Sequence, residues 1–342
     1  MNIIHCTPSH STQWDDFVMQ YEIATFYHRF AWKEINEKCF GHKAFYLAAI
    51  EGNQLRGIFP IIFLKSRLFG KILCSMPFMN LGGPCTTDRE TEDALLDETR
   101  KILEVNKADY LEIRSLSKLN TSLPVAEHKI SMTVDLANDP EVIWKAFKSK
   151  HRTNIRNAYN QGFTTLTGGE ELLDDFYKIL AESWRSLGTP LYAKSYFKEI
   201  TKQLAPTISI FLVLHHDKPV GTAFNGLHRK TVEGLWAGTV AEYRRSDANY
   251  VLYWEMIKHY CEAGFGKFHL GRSTVDSGAE AFKKKWLAYG SQLYWQYILG
   301  RTREIPRLNV NNPKYQLAIR AWKRLPIELT KRIGPIIAKS IP

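Results

Sequence analysis

No stretch of this sequence approaches the run of about 18 uninterrupted apolar residues that a membrane-spanning helix needs. Its opening, MNIIHCTPSHSTQW, lacks the charged and apolar regions of a secretory signal, so neither export nor membrane insertion is expected. Cysteine is scarce: Cys6, Cys39, Cys74, Cys85 and Cys261 are odd in number and form no C-x-x-C pair. That argues against a disulfide framework and a thiolate metal site, and fits a reducing cytoplasm. There is no H-E-x-x-H, and His215-His216-Asp217 reads as a hairpin turn between two apolar runs, so no metal is expected. Two glycine motifs are also missing from HLGRSTVDSGAEAFKKKWLAYG, residues 269–290. No Lys follows Gly278 directly, as a phosphate-cradling Walker loop requires, and Val275 stands where a nucleophile elbow would have its second glycine.

What is present is core material and cationic charge. The 342 residues, 44% hydrophobic and 13% aromatic, can fill two compact lobes. Of the net charge of +11, the segment 301–342 carries +8, because ten Lys and Arg there face only Glu304 and Glu328. The remainder is too weakly charged for a surface shaped to DNA, and no DNA partner is expected.

The two halves share one plan. YLAAIEGNQLRGIF (46–59) and IFLVLHHDKPVGTA (210–223) each read as strand, tight turn, strand, at an offset of 164 with no gap. Each is followed by an apolar run (73–81; 234–240), a helical pattern (91–106; 248–264) and a strand ending in Arg-Ser, at Arg114-Ser115 and Arg272-Ser273. The expected fold is α/β (α+β): two lobes, 1–135 and 136–300, each a mixed sheet flanked by helices, then a basic amphipathic tail, 301–342. Val251, Leu252, Tyr253, Trp254, Met256, Ile257 and Tyr260 make the second helix apolar nearly all round, as a core helix needs.

Hairpin, strand, helix, strand is the core order of the GNAT acyltransferase fold, and a tandem pair resembles the FemAB family of peptidoglycan-bridge aminoacyl transferases. The segments 41–84, KSKHRTNIRNAYNQGF (148–163), GRSTVDSGAEAFKKKW (271–286) and NPKYQLAIRAWKRLP (312–326) resemble the FemAB-like proteins associated with exosortase/PEP-CTERM systems. The resemblance implies an N-acyl or aminoacyl transferase acting on an amine of a cell-envelope or exopolysaccharide precursor. Two alternatives stand beside it: an acetyl-CoA-dependent N-acetyltransferase, and a non-catalytic saccharide-binding or scaffold protein.

Between the lobes, Asp139 caps an expected helix that runs from Pro140 to Gly162. Lys148, Arg152 and Arg156 fall at i, i+4 and i+8 as a cationic stripe suited to a phosphorylated carrier or a carboxylate. A CoA-binding GNAT presents [RQ]-x-x-G-x-[GA] before the helix of this lobe. Here AEYRRSDANY (241–250) offers Arg244 and Arg245 but no glycine, which disfavours CoA and agrees with a charged tRNA as donor. No cofactor is expected to be bound; the donor is aminoacyl-tRNA or acyl-CoA. Peptidoglycan-bridge transferases carry a Phe-Lys pair after the last strand of the second lobe, and Phe282-Lys283 matches it, with Lys285 in place of the usual glycine and Trp286 behind it.

Lys283 is accordingly expected to stabilise the acceptor phosphate or the oxyanion, with Arg272 as an anchor at the strand end. Asp276 and Glu280 are the candidate bases for the amine, with helix capping and solvation as their ordinary alternatives. In the tail, Leu317, Ile319, Trp322, Leu325, Ile333, Ile336 and Ile337 alternate with cations, as in interfacial membrane helices, while Pro326 and Pro335 are expected to break it into short pieces. The expected location is the cytoplasm, with the tail read either as a basic arm packed on the lobes or as a peripheral contact at the inner membrane.

Overall fold

The computed structural model describes residues 1–66, 69–119, 122–245, 247–305 and 313–341. In chain order the elements are β1 (Asn2–His5), α1 (Ser11–Gln20), α2 (Ala31–Phe40), β2 (Lys43–Glu51), β3 (Gln54–Ser66), β4 (Gly70–Cys74), β5 (Cys85–Thr86), α3 (Arg89–Val105), β6 (Tyr110–Ser115) and β7 (Val125–Asp135). There follow α4 (Pro140–Ala146), α5 (Ser149–Asn160), β8 (Phe163–Gly168), α6 (Leu173–Leu187), α7 (Lys194–Leu204), β9 (Ile208–His215), β10 (Lys218–His228), β11 (Thr231–Thr239), α8 (Ala248–Glu262), β12 (Lys267–Thr274), α9 (Gly278–Lys284), β13 (Tyr289–Leu299), α10 (Pro313–Arg324) and α11 (Ile327–Ala338).

The chain forms two compact units: Met1–Ile130 with Ser291–Arg307 and Lys339–Pro342, and Ser131–Gly290 with Leu308–Ala338. In the first, β2 and β3 pair antiparallel across the two-residue turn Gly52-Asn53, β4 adds antiparallel to β3, and β6 adds parallel to β4 after the crossover helix α3. In the second, β9 and β10 pair across His216-Asp217, β11 adds antiparallel to β10, and β12 adds parallel after α8. Strand order and sense therefore repeat, as the duplicated pattern implies. His216 and Asp217 sit at φ 49° and 59°, the left-handed pair that a two-residue hairpin turn demands.

The lobe boundary differs from the expected one. The segment following residue 290, assigned from sequence to the second lobe, returns to the first unit, because β13 pairs antiparallel with β6 from Tyr294↔Ser115 to Leu299↔Tyr110. Nor is the segment 139–162 one helix. It breaks between α4 and α5, where Phe147 and Lys148 are extended at ψ 145° and 144°. Phe147 is buried there, and the guanidinium of Arg152 donates to the carbonyls of Lys145 (3.1 Å) and Phe147 (2.6 Å), supplying bonds that helix backbone would have made. In the tail, Pro326 separates two helices as expected, but Pro335 lies within α11. The preceding Gly334 has no Cβ to meet the proline ring, and one added there would come within 2.9 Å of the Leu191 carbonyl.

The core of the first unit is the layer between its sheet and α3, built on Leu47, Phe59, Ile61, Leu73, Leu95, Leu111 and Ile113. In the second, aromatic rings dominate: Phe176 of α6 meets Phe224 of the sheet at a centroid distance of 5.1 Å, and Phe197 of α7 meets Phe224 and Trp236 at 6.2 and 5.1 Å. The loop after β4 in the first unit holds two non-glycine residues in the left-handed region, Met76 at φ 54° and Phe78 at φ 72°. Beside it, buried His28 donates from Nε2 to the Gly83 carbonyl (2.9 Å) while its Nδ1 accepts from the Thr25 amide (3.0 Å).

That tautomer is satisfied only when the ring is neutral, and burial pushes the His28 pKa down to about 4 against the backbone hydrogen bonds that raise it. The folded pKa lies below the unfolded value of about 6.5, so the unfolded chain binds the extra proton between these pH values. Stability is therefore expected to fall as pH drops from about 6.5 towards 4, with His28 contributing about 3 kcal/mol of the loss. Urea titrations across that range check this. His28→Gln should flatten the slope, and an unchanged slope would assign it to other groups, of which His42 and His151 are also lowered to about 4 by burial.

Candidate functional site

The Arg-Ser ends of the two repeats do different work. In the first unit Arg114 is fully buried: its guanidinium donates to Glu112 Oε1 (2.7 Å) and to the Met79 carbonyl (2.8 Å), and lies 4.6 Å from the centre of the Trp295 ring. Its carbonyl accepts from the amides of Gly82 and Gly83 (3.2 and 2.9 Å). A Cβ on Gly83 would fall 2.0 Å from Ser115 Oγ, so the glycines serve close packing, with their N–H groups turned to protein.

In the second unit, β12 ends differently. Gly271 takes φ 76°, a conformation that residues with a Cβ avoid, and its carbonyl together with that of Arg272 meets an ammonium group. The turn passes through Asp276 at φ 59° and enters α9, where Ser277 Oγ accepts from the Glu280 amide. The Glu280 carboxylate accepts from the Asp276 amide (2.6 Å) and pairs with Lys284 (2.6 Å). This closed turn fixes the start of α9, and one turn later Lys283 points back at the strand.

Lys283 Nζ donates to the carbonyls of Gly271 (3.0 Å) and Arg272 (2.9 Å), and the residue is only 9% exposed. Burial, with a smaller effect from the Arg272 charge, lowers its pKa to about 8. Two of the three ammonium protons are thus held by main chain, which sets the direction of the third. In β12, α5 and the residues just after α9, three of the buried polar atoms without a partner among the described residues are Ser273 Oγ, Trp286 Nε1 and His151 Nε2, the last two on rings in edge-on contact. Unpaired buried polar atoms are uncommon in folded proteins, and each calls for an explanation such as a bound water, an ion or a catalytic role.

The other expected site residues are placed as follows. Trp286 is fully buried, stacked over Tyr253 (5.5 Å, 21°) and edge-on to His151 (4.5 Å) and Phe147 (5.7 Å), while Phe282 meets Tyr253 edge-on at 5.1 Å. Arg272 is half-buried and Asp276 exposed. Glu280 is committed to the turn, and its carboxyl is held below the usual range chiefly by Lys284 and next by the Asp276 amide. Lys148 stands at the exposed cap of α5, outside the helix it was expected to share with Arg152 and Arg156. Arg152 is spent on the two carbonyls of the helix break, and Arg156 lies 5.4 Å from the centre of the Trp144 ring. Arg244 and Arg245 lie in the short 3-10 turn Ala241–Arg245, and their side chains fall outside the described ones.

His151 was missed from sequence. It shares a face with Phe147, Ile155 and Ala158, the spacing of a core position, and only its adjacency to the K-x-x-x-R-x-x-x-R pattern could have drawn attention to it. Burial and the Lys285 charge lower its pKa to about 4, so it stands as a neutral imidazole beside the cationic turn.

A family model described as an acetyltransferase (GNAT) domain matches residues 145–284, the segment that runs from α4 through Lys283. A search of curated protein sequences finds no match. Among solved structures, FemX is similar over 93% of this chain and 100% of its own, with a TM-score of 0.66 at 16% identity. The C-terminal domain of a putative lysylphosphatidylglycerol synthetase from Agrobacterium fabrum matches with a TM-score of 0.57 at 14% identity, covering 87% of this chain and 99% of that one. A tandem GNAT protein from the clavulanic acid biosynthesis pathway gives 0.53 at 9% identity, covering 89% and 99%. The chain therefore has a mixed α/β fold of the tandem-GNAT kind, with its GNAT-matched segment enclosing the Lys283 turn.

Proposed function

We propose that this protein is an N-acyl or aminoacyl transferase whose acceptor is an amine on a cell-envelope or exopolysaccharide precursor. The observation that carries the reading is the buried Lys283, clamped to the end of β12, in a Phe282-Lys283 pair that resembles the one of peptidoglycan-bridge transferases. The amine lone pair attacks the carbonyl carbon of the activated acyl group and a C–N bond forms. The tetrahedral oxyanion then collapses, the C–O or C–S bond to the carrier breaks, and the amine proton leaves with the carrier hydroxyl or thiol. Lys283, with one N–H left to give, supplies positive charge to the oxyanion or to an acceptor phosphate. Chemistry of this kind needs placement more than a nucleophilic residue, which agrees with the absence of a Ser-His-Asp arrangement from the candidate residues.

For the donor, the missing glycines in 241–250 favour aminoacyl-tRNA over acyl-CoA, since backbone cannot approach a pyrophosphate closely there. The match to an acetyltransferase domain favours the second reading, acetyl-CoA. Calorimetric titration with CoA and mass spectrometry of the saccharide precursor from a deletion strain separate them. An absent aminoacyl mass with no CoA binding is the expected result; tight CoA binding with an absent acetyl mass supports the alternative. A precursor of unchanged mass overturns the transferase reading.

A further inference from the structure

We infer that the outward faces of α10 and α11 form a docking surface for an anionic lipid bilayer, a property separate from the transfer reaction. Both helices pack on α6. On α11 the inward positions Thr330, Gly334 and Ala338, at i, i+4 and i+8, are buried, and Gly334 lies against the backbone of Leu191. The opposite side carries Leu329, Arg332 and Ile336, at i, i+3 and i+7, with Leu329 41% and Ile336 65% exposed. On α10, Trp322 is buried and Ile319 lies against Gly188 at the end of α6, while Leu317 (67% exposed), Arg320, Ala321 and Arg324 share the side turned away.

Large aliphatic side chains this exposed, interleaved with arginines, call for a partner that is both apolar and negatively charged. A bilayer rich in anionic lipid presents both within one headgroup depth, and an interfacial helix lies there with its apolar residues in the acyl boundary and its guanidinium groups among phosphates. The charge argument selects this occupant over a second copy of the chain. α10 and α11 together contain a single acidic residue, Glu328, which already pairs with Lys331 (2.8 Å), so two such faces would repel one another. No helix among the described residues is long and apolar enough to cross a membrane, so the contact is peripheral.

The test is co-sedimentation of the full chain with vesicles of phosphatidylglycerol and phosphatidylcholine in equal parts, against phosphatidylcholine alone. Binding to the anionic vesicles is expected to be at least about tenfold stronger and to weaken as salt is raised. The triple variant Arg320→Gln, Arg324→Gln, Arg332→Gln should lose about tenfold or more of that binding, and Leu329→Ser with Ile336→Ser a similar factor. These positions are exposed, so melting curves of the variants should match wild type, which separates loss of docking from loss of fold. Equal binding to both vesicles, or full binding by both variants, overturns the inference. So does a dimer in solution that Ile336→Ser converts to monomer, because a second copy would then cover the face.

Discussion

Lys283→Ala is expected to lower the turnover number by about 10²–10³-fold, the scale on which an oxyanion-stabilising donor acts, with a smaller change in KM. The two hydrogen bonds lost are offset by removal of a buried, desolvated ammonium, so stability should change by only about 1 kcal/mol. The pH dependence gives a second readout. Burial disfavours the ammonium and lowers the Lys283 pKa to about 8, so the active charged form is lost as pH rises through that value. The wild-type rate should therefore fall on the alkaline side of about pH 8, and the residual rate of Lys283→Ala should lack that fall. A variant that sustains full polymer production in cells would instead favour the non-catalytic scaffold.

The route to Lys283 shows what a sequence can and cannot disclose. The hairpins were legible because Gly52-Asn53 and His216-Asp217 are turn chemistry, and the order of the repeated elements then implied the sheet. The Phe-Lys pair drew attention to this turn, but the clamp of its ammonium on Gly271 and Arg272 depends on a left-handed glycine whose φ no local pattern announces. Strand β13 was not read from the sequence, and nothing in its residues marks its partner, so its return to β6 was invisible. The break at Phe147-Lys148 contains neither glycine nor proline. It arises from tertiary packing, a buried Phe147 and an Arg152 turned on two carbonyls, and that same arrangement removes Arg152 from the anion-binding stripe that a straight helix would have made. His151 looked like a core residue because by spacing and burial it is one, and what sets it apart is an Nε2 with no partner among the described residues.

Arg114→Ala is expected to destabilise the protein by about 3–5 kcal/mol, because it leaves Glu112 buried without its counter-charge. Arg114 is 1% exposed, and all of its charge is answered inside the fold: Glu112 Oε1 at 2.7 Å, the Met79 carbonyl at 2.8 Å and the Trp295 ring at 4.6 Å. Glu112 Oε2 accepts from the Tyr297 hydroxyl at 3.0 Å, so β13 is tied to β6 through the same pair. Arg114→Lys should recover only part of the loss, since an ammonium cannot bridge carboxylate and carbonyl in one plane while stacking on indole. The double change Arg114→Leu with Glu112→Leu removes both charges together and should be far milder than Arg114→Ala alone, as replacing a buried ion pair by apolar side chains often is. Urea unfolding of the three variants measures the ordering. If Arg114→Ala costs less than the double variant, the pair does not hold β6 to β13, and the return of the strand rests on its backbone ladder and on the aromatic contact of Tyr110 with Tyr297.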